Sequence, residues 1–315
     1  MKFVWAYVGC FLVSFIATAV VMPIVARFAV RCGLIDDPGE RKIHGRPTPL
    51  AGGLGIFTGL TIALVLGLVS GYLDLADSLT GKGRFQIPVL FGGMTAMMVL
   101  GLVDDLVELD AARKFVCQLL IALAVAAAGI QITVFIPSKP LNYLITVLWI
   151  LTIVNTFNFN DNMNGLCGGL GLIACLYFGI AAHLAGQHNV ALIAFAVVGS
   201  IAGFIPYNFP KGRLFLGDSG SHVIGFLVAV LAIMPIFYRQ EWGHPLAVLK
   251  PVGVLIVPLV DLVVVVALRV KAGKPFYVGD TNHLSHQLVR RGLNHVQAVI
   301  YLWIVAAFGG MVIFL

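Results

Sequence analysis

Residues 3–29 read FVWAYVGCFLVSFIATAVVMPIVARFA, an apolar run that meets no charge before Arg27. A hydrocarbon core about 30 Å thick takes roughly 20 helical residues, so the run reads as a retained membrane span, too long for the core of a cleaved leader. Further apolar stretches follow at 52–73, 86–103, 115–135, 141–158, 166–185, 189–206, 219–238, 246–268 and 296–315. The expected fold is all-α: a polytopic integral membrane protein of about ten transmembrane helices, forming one domain over residues 1–315.

Composition points the same way. Hydrophobic residues make up 60% of the 315 and charged residues 11%, with a mean hydropathy of +0.99. That excludes a water-soluble globule, and it excludes a disordered chain, which needs the opposite balance. The net charge of +6 reports membrane orientation and leaves no role for nucleic acid. The five cysteines form neither a CxxC pair nor a metal-ligand spacing and read as small apolar filler.

Numbering the loops between spans in order, the odd ones hold 14 of the 20 Lys and Arg residues. By the positive-inside rule these loops are cytoplasmic and both termini lie outside. Every cluster of Asp, Asn, His and Gly that looks chemical also falls in an odd loop, and the even loops offer nothing comparable. A transporter would place ionisable groups near the bilayer midplane or on both sides of it; the one acid inside a span is Asp261.

Five segments carry the chemistry. In 101–110, GLVDDLVELD, the adjacent acids Asp104 and Asp105 close a span, and Lys114 opens the next. Such a pair repels unless a cation or shared proton holds it, which serves metal binding or proton abstraction, although an isolated pair is more often just solvated. In 214–226, LFLGDSGSHVIGF, Asp218 stands among glycines and serines at a helix start, as a simple cap or as a Mg²⁺ ligand.

In 155–169, NTFNFNDNMNGLCGG, the amides Asn155, Asn158, Asn160, Asn162 and Asn164 surround Asp161. Amides at that density are costly near hydrocarbon unless they bond backbone, nucleobase or sugar. The run RKIHGRPTPLAGG begins at Arg41, Lys42 and His44 and reads as a topology-setting basic loop or a polyanion site. In 282–292, NHLSHQLVRRG, His283 and His286 share one side of a helical turn with Arg290 beyond them, a set suited to phosphate or sugar more than to zinc.

The order of these motifs resembles one family, the polyprenyl-phosphate N-acetylhexosamine-1-phosphate transferases, over nearly the whole chain. Matching segments run from Asp37 and Pro38 through RKIHGRPTPLAGG, GLVDD with Lys114, NTFNFND, FLGDSGS, the Pro258 to Asp261 pair and KPFYVGDTNHLSH. The likeness is greatest to the bacterial N-acetylglucosamine-1-phosphate branch, which initiates O-antigen, enterobacterial common antigen and teichoic-acid linkage units. It implies a UDP-N-acetylhexosamine donor, a polyprenyl phosphate acceptor, Mg²⁺ (with Mn²⁺ as the alternative), an enzyme of the bacterial inner membrane with its active site facing the cytoplasm, and room for a homodimer.

By residue, the resemblance implies that Asp218 binds the metal, with Asn164 offering a second oxygen. Asp104 and Asp105 are the catalytic acids, handling metal or acceptor phosphate. Arg41, Lys42, His44, Lys114, Asn155, Asn158, Asp161, His283, His286 and Arg290 are expected to bind substrate. Two motifs depart from the pattern, with an amide at Asn164 for the second acid and Ser285 for the middle imidazole. The usual DGxDG is Asp161-Asn162-Met163-Asn164-Gly165 here, and the usual HxHH is His283-Leu284-Ser285-His286. The muramyl-pentapeptide branch carries three successive histidines, absent here. The rival classes are a transporter or flippase for lipid-linked or nucleotide sugars, and the same transfer from another UDP-hexosamine or from UDP-N-acetylmuramyl-pentapeptide.

Overall fold

The computed structural model describes residues 2–36, 47–73, 86–133, 138–237, 245–275 and 281–315. Helix α1 (Lys2–Arg31) leads through a short antiparallel pair, β1 (Ile35–Asp36) and β2 (Thr48–Pro49), into α2 (Gly52–Val69). Then come α3 (Gln86–Val107), α4 (Ala111–Ala127), α5 (Lys139–Asn160), α6 (Leu166–Leu184), α7 (His188–Asn208) and α8 (Gly217–Leu231). After a 3₁₀ turn, Pro245–Leu249, the chain continues as α9 (Lys250–Val254), α10 (Ile256–Lys271), α11 (Leu284–Arg290) and α12 (His295–Gly310), ending in a second 3₁₀ turn.

Each of the ten apolar stretches becomes helical, but not all become full-length spans. Among the described residues seven helices are long and apolar enough to cross a membrane, or eight if α9 and its neighbour α10, bent by 74°, count as one broken span. This is a multi-pass membrane protein. The fourth stretch yields a helix of 17 residues and the eighth one of 15, because apolarity continues past the point where the helix stops. The break before α10 has a covalent cause: Pro258 has no N–H to give to the carbonyl four residues back, at Val254.

The bundle is organised around α8. Every residue of it except Asp218 is buried, the signature of a helix apolar on all sides. Helices α3 and α5 pack on it, α2 and α6 add to its shell, and α1 lies outside against α2 and α7. Lipid is as apolar as leucine, so burial gives little reason for helices to associate, and close backbone approach must do it. A Cβ on Gly53 of α2 would collide with the main chain at Ser219 and Gly220, and one on Gly101 of α3 with that at Asp218 and Ser219. Two helices thus clamp the first turn of α8.

At that end the five odd loops converge. Leu50 forms a bridge with Phe215, Asp105 of α3 reaches the start of α8, and Asn158 of α5 reaches Asp218. Gly165 N–H donates to Asn208 Oδ1 at the end of α7, 2.5 Å, and Ser285 of α11 bonds Asn162. The opposite end holds a polar cluster that the sequence reading overlooked. There Tyr7, His183 and His188 meet, because histidines from two neighbouring helix ends face the first turns of α1.

Candidate active site

The residue before α8 is Leu216, which has no side-chain oxygen to cap the helix. Asp105 supplies the cap from α3 instead: its Oδ1 accepts from the Asp218 N–H at 2.7 Å and its Oδ2 from the Ser219 N–H at 3.1 Å. A carboxylate here satisfies orphan donors and lies at the positive end of the helix dipole. Gly217, at φ +76°, leaves the necessary space, since a Cβ there would stand 2.8 Å from Asp105 Oδ2. Asp218 is thereby aimed out of the helix.

Asp104 is buried beside it. Its Oδ1 accepts from Leu109 N–H at 2.8 Å, closing the end of α3, and its Oδ2 pairs with Lys114 Nζ of α4. The same ammonium lies 3.2 Å from Asp218 Oδ2 and 3.4 Å from Asn158 Oδ1. The Asn158 amide donates to Asp218 Oδ1 and, at 3.0 Å, to Ser221 Oγ. Lys114 therefore sits where four helices meet, shared between two carboxylates that would otherwise repel.

A buried chain of hydrogen bonds backs this centre. His222 donates from Nδ1 to the Asp218 carbonyl, 2.5 Å, which leaves its Nε2 to accept from Gln118 Nε2–H at 2.9 Å. Gln118 Oε1 accepts from Asn155 at 2.8 Å. Asn155, expected on substrate, is thus spent on holding α5 to α4. His222 and Gln118 went unremarked in the sequence; the available signal was an i, i+4 spacing from Asp218 and Lys114 that returns each to the same helix face.

Asp161 follows the last turn of α5, exposed to water on one side. Its carboxylate makes no hydrogen bond among the described residues. Its pKa is raised, first by the protein packed around it and then by repulsion from Asp218 and Asp105. Asn164 is turned elsewhere, its amide lying against Gly212 in the turn after α7.

Asp261, an acid inside a span with no role evident from sequence, finds one here. It is buried and accepts from His283 Nδ1–H at 2.7 Å and from the Leu284 N–H at 2.6 Å, fixing both the imidazole and the start of α11. His286, one turn on and partly buried, has its pKa lowered by burial and then by the charges of His283, Arg290 and His295, against an opposing pull from Asp261. Arg290 is exposed and turns back to the Thr281 carbonyl, 2.9 Å. Arg41, Lys42 and His44 lie outside the described residues.

No three His, Cys, Asp or Glu side chains form a ready-made metal cage among the described residues. Mg²⁺ seldom uses one; it takes one or two carboxylates and completes its shell with water and substrate phosphate. An open carboxylate at Asp161 within the electrostatic reach of Asp218, both hard oxygen donors, fits that habit, and fits Mn²⁺ equally.

Residues 87–236 match glycosyl transferase family 4. The chain is similar to a Bacillus subtilis (strain 168) protein named probable undecaprenyl-phosphate N-acetylglucosaminyl 1-phosphate transferase, 29% identical over 309 residues, covering 95% of this chain and 81% of the relative. A Mycobacterium tuberculosis (strain CDC 1551 / Oshkosh) decaprenyl-phosphate N-acetylglucosaminephosphotransferase is 32% identical over 319 residues, covering 90% of this chain and 77% of its own length. An Escherichia coli (strain K12) undecaprenyl-phosphate alpha-N-acetylglucosaminyl 1-phosphate transferase is 26% identical over 314 residues, covering 93% and 79%.

Proposed function

Since the chain belongs to glycosyl transferase family 4, we propose that it transfers N-acetylglucosamine 1-phosphate from UDP-N-acetylglucosamine to a polyprenyl phosphate, releasing UMP. The observation that carries this reading is Lys114 held between Asp104 and Asp218 at the membrane edge. An ammonium whose partners are mutually repelling carboxylates is ready to exchange one of them for a phosphate oxygen. The basic loops at this end favour the cytoplasmic face of the bacterial inner membrane.

An oxygen of the acceptor phosphate attacks the β-phosphorus of the donor. A new P–O bond forms there, the bond to the bridging oxygen breaks, and UMP leaves with the electron pair. A phosphate monoester has a second pKa near about 6, so the nucleophile is already mostly dianionic at neutral pH. Alignment and charge neutralisation then outweigh proton removal.

Asp105, with both oxygens on main-chain N–H groups, positions Asp218. Asp104 positions Lys114, which draws the phosphates together. Asp161 and Asp218 would hold Mg²⁺ or Mn²⁺, which when bound neutralises the donor diphosphate. His283, held by Asp261, and His286 would meet the sugar nucleotide through hydrogen bonds, and the Arg41 to His44 loop would add positive charge for phosphate.

The test is direct: full-length protein in detergent, given UDP-N-acetylglucosamine, undecaprenyl phosphate and Mg²⁺, is expected to release UMP, and to stop when the metal is chelated. Absence of release across a panel of UDP-hexosamines would overturn the reading.

A further inference from the structure

A circuit of side-chain and backbone links joins α10, α11 and the turn between α5 and α6. From α10, Asp261, 2% exposed, holds His283 and the Leu284 N–H. One residue on, Ser285, 1% exposed, donates its hydroxyl to Asn162 Oδ1 at 2.7 Å. Asn162 Nδ2 donates to the Phe159 carbonyl at 2.8 Å, which fixes the end of the amide that Ser285 meets. The Phe159 ring lies under the Arg269 guanidinium, 4.9 Å from the centroid. Arg269, 1% exposed, stands on the same buried face of α10 as Asp261, eight residues on, and closes the circuit.

Two expected site residues flank the bonded pair in sequence: His286, next after Ser285, and Asp161, next before Asn162. Among the described residues, the bond from Ser285 to Asn162 is the side-chain tie between these two segments, and the gap between them depends on it. That bond is also a size constraint. Ser285 is enclosed, so a larger side chain at 285 requires a smaller one at 162. The DGxDG and HxHH patterns place glycine at 162 and an imidazole at 285, the reverse distribution of bulk.

We infer that Ser285 and Asn162 form one paired determinant of donor recognition, positioning residues whose bond sets the spacing between His286 and Asp161. The departures from the family pattern at 162 and 285 are then a single exchange, separate from the one at Asn164. The inference rests on the function proposed above and names the part of the site that reads the sugar nucleotide.

The experiment is steady-state UMP release with each substrate varied in turn, on the full chain in detergent, with thermal melting of every variant recorded. S285A and N162A should each raise the KM for UDP-N-acetylglucosamine about three- to tenfold, with kcat and the KM for undecaprenyl phosphate within about twofold. The double variant S285A/N162A should be no worse than the worse single change, because both remove the same bond. S285H alone should be more damaging, and S285H/N162G should recover most of the loss or change which UDP-hexosamine is preferred.

Additive single effects, an equal rise in both KM values, or no recovery in S285H/N162G would overturn the pairing. If S285A fails to fold, N162A carries the test alone, since the Asp261 anchor of α11 is untouched, and an unchanged donor KM there overturns it too. Lack of turnover by the unsubstituted protein is a different failure, that of the proposed function.

Discussion

The two ends of the bundle are both polar, and they differ in what they leave for a partner. At the end away from the acids, the Tyr7 phenol donates to His188 Nδ1 at 2.6 Å and lies 3.2 Å from His183 Nδ1, which donates to it. Phe3 stacks on His188. Gln187 bonds the Met234 carbonyl at 3.1 Å and the Ile236 N–H at 2.6 Å. No carboxylate takes part in these contacts, and each group finds its partner within the chain. At the other end, one ammonium is divided between Asp104 and Asp218, and the exposed Asp161 carboxylate has no hydrogen-bond partner among the described residues. Density of hydrogen bonds therefore does not mark a site. Charge of one sign beyond what the protein itself satisfies does.

The sharpest way to break this contrast is at Asp218. D218A should lower UMP release by on the order of a thousandfold, since it removes a carboxylate that would hold the metal; a loss under tenfold would end its central role. Lys114 comes next. K114M leaves Asp104 and Asp218 without their shared cation and should cost about a hundredfold in kcat/KM, read from the same assay.

D105A tests positioning. Losing a cap from the start of α8 should cost about 2 kcal/mol of stability, seen as earlier melting in detergent, with activity down about tenfold because Asp218 loses its aim. Smaller still is the pH effect at His286. Its lowered pKa keeps it uncharged through neutral pH. As pH falls below the ordinary histidine range, near about 6.5, the unfolded chain takes up the proton first, so the histidine's contribution to stability is lost on the acid side and retained above it. The part of the donor KM that His286 carries should rise only as pH falls below about 6.5, and H286Q should remove that part of the acid limb.

At the far end, Y7F should cost about 1 kcal/mol of stability and leave UMP release within about twofold. A large loss of activity there would mean that the two ends are coupled.

How much of the site was legible varies with the kind of residue. Asp104, Asp218 and Lys114 announce themselves because charge is rare in so apolar a chain and each stands at the edge of a run. Asp105 looks identical to Asp104 in sequence, yet it caps another helix, a role set by a neighbour 113 residues away. Asn155 reads like Asn158, but one meets Gln118 and the other Asp218, because they lie one turn apart along the same face of α5, at different levels of the bundle. Asn164 lies against Gly212 for a different reason: the left-handed Gly165 turns the chain before α6 begins.

By itself the sequence determined that this chain lives in a membrane, where its apolar stretches begin, and which loops carry surplus charge. Those follow from transfer free energies summed along the chain, which need no knowledge of neighbours. Only the tertiary structure decided which acid faces a lysine, which one caps a helix, and that the buried Asp261 serves His283. Partners there are chosen by the angles at which helices cross and by glycines that let their backbones touch, and neither is written locally in the chain.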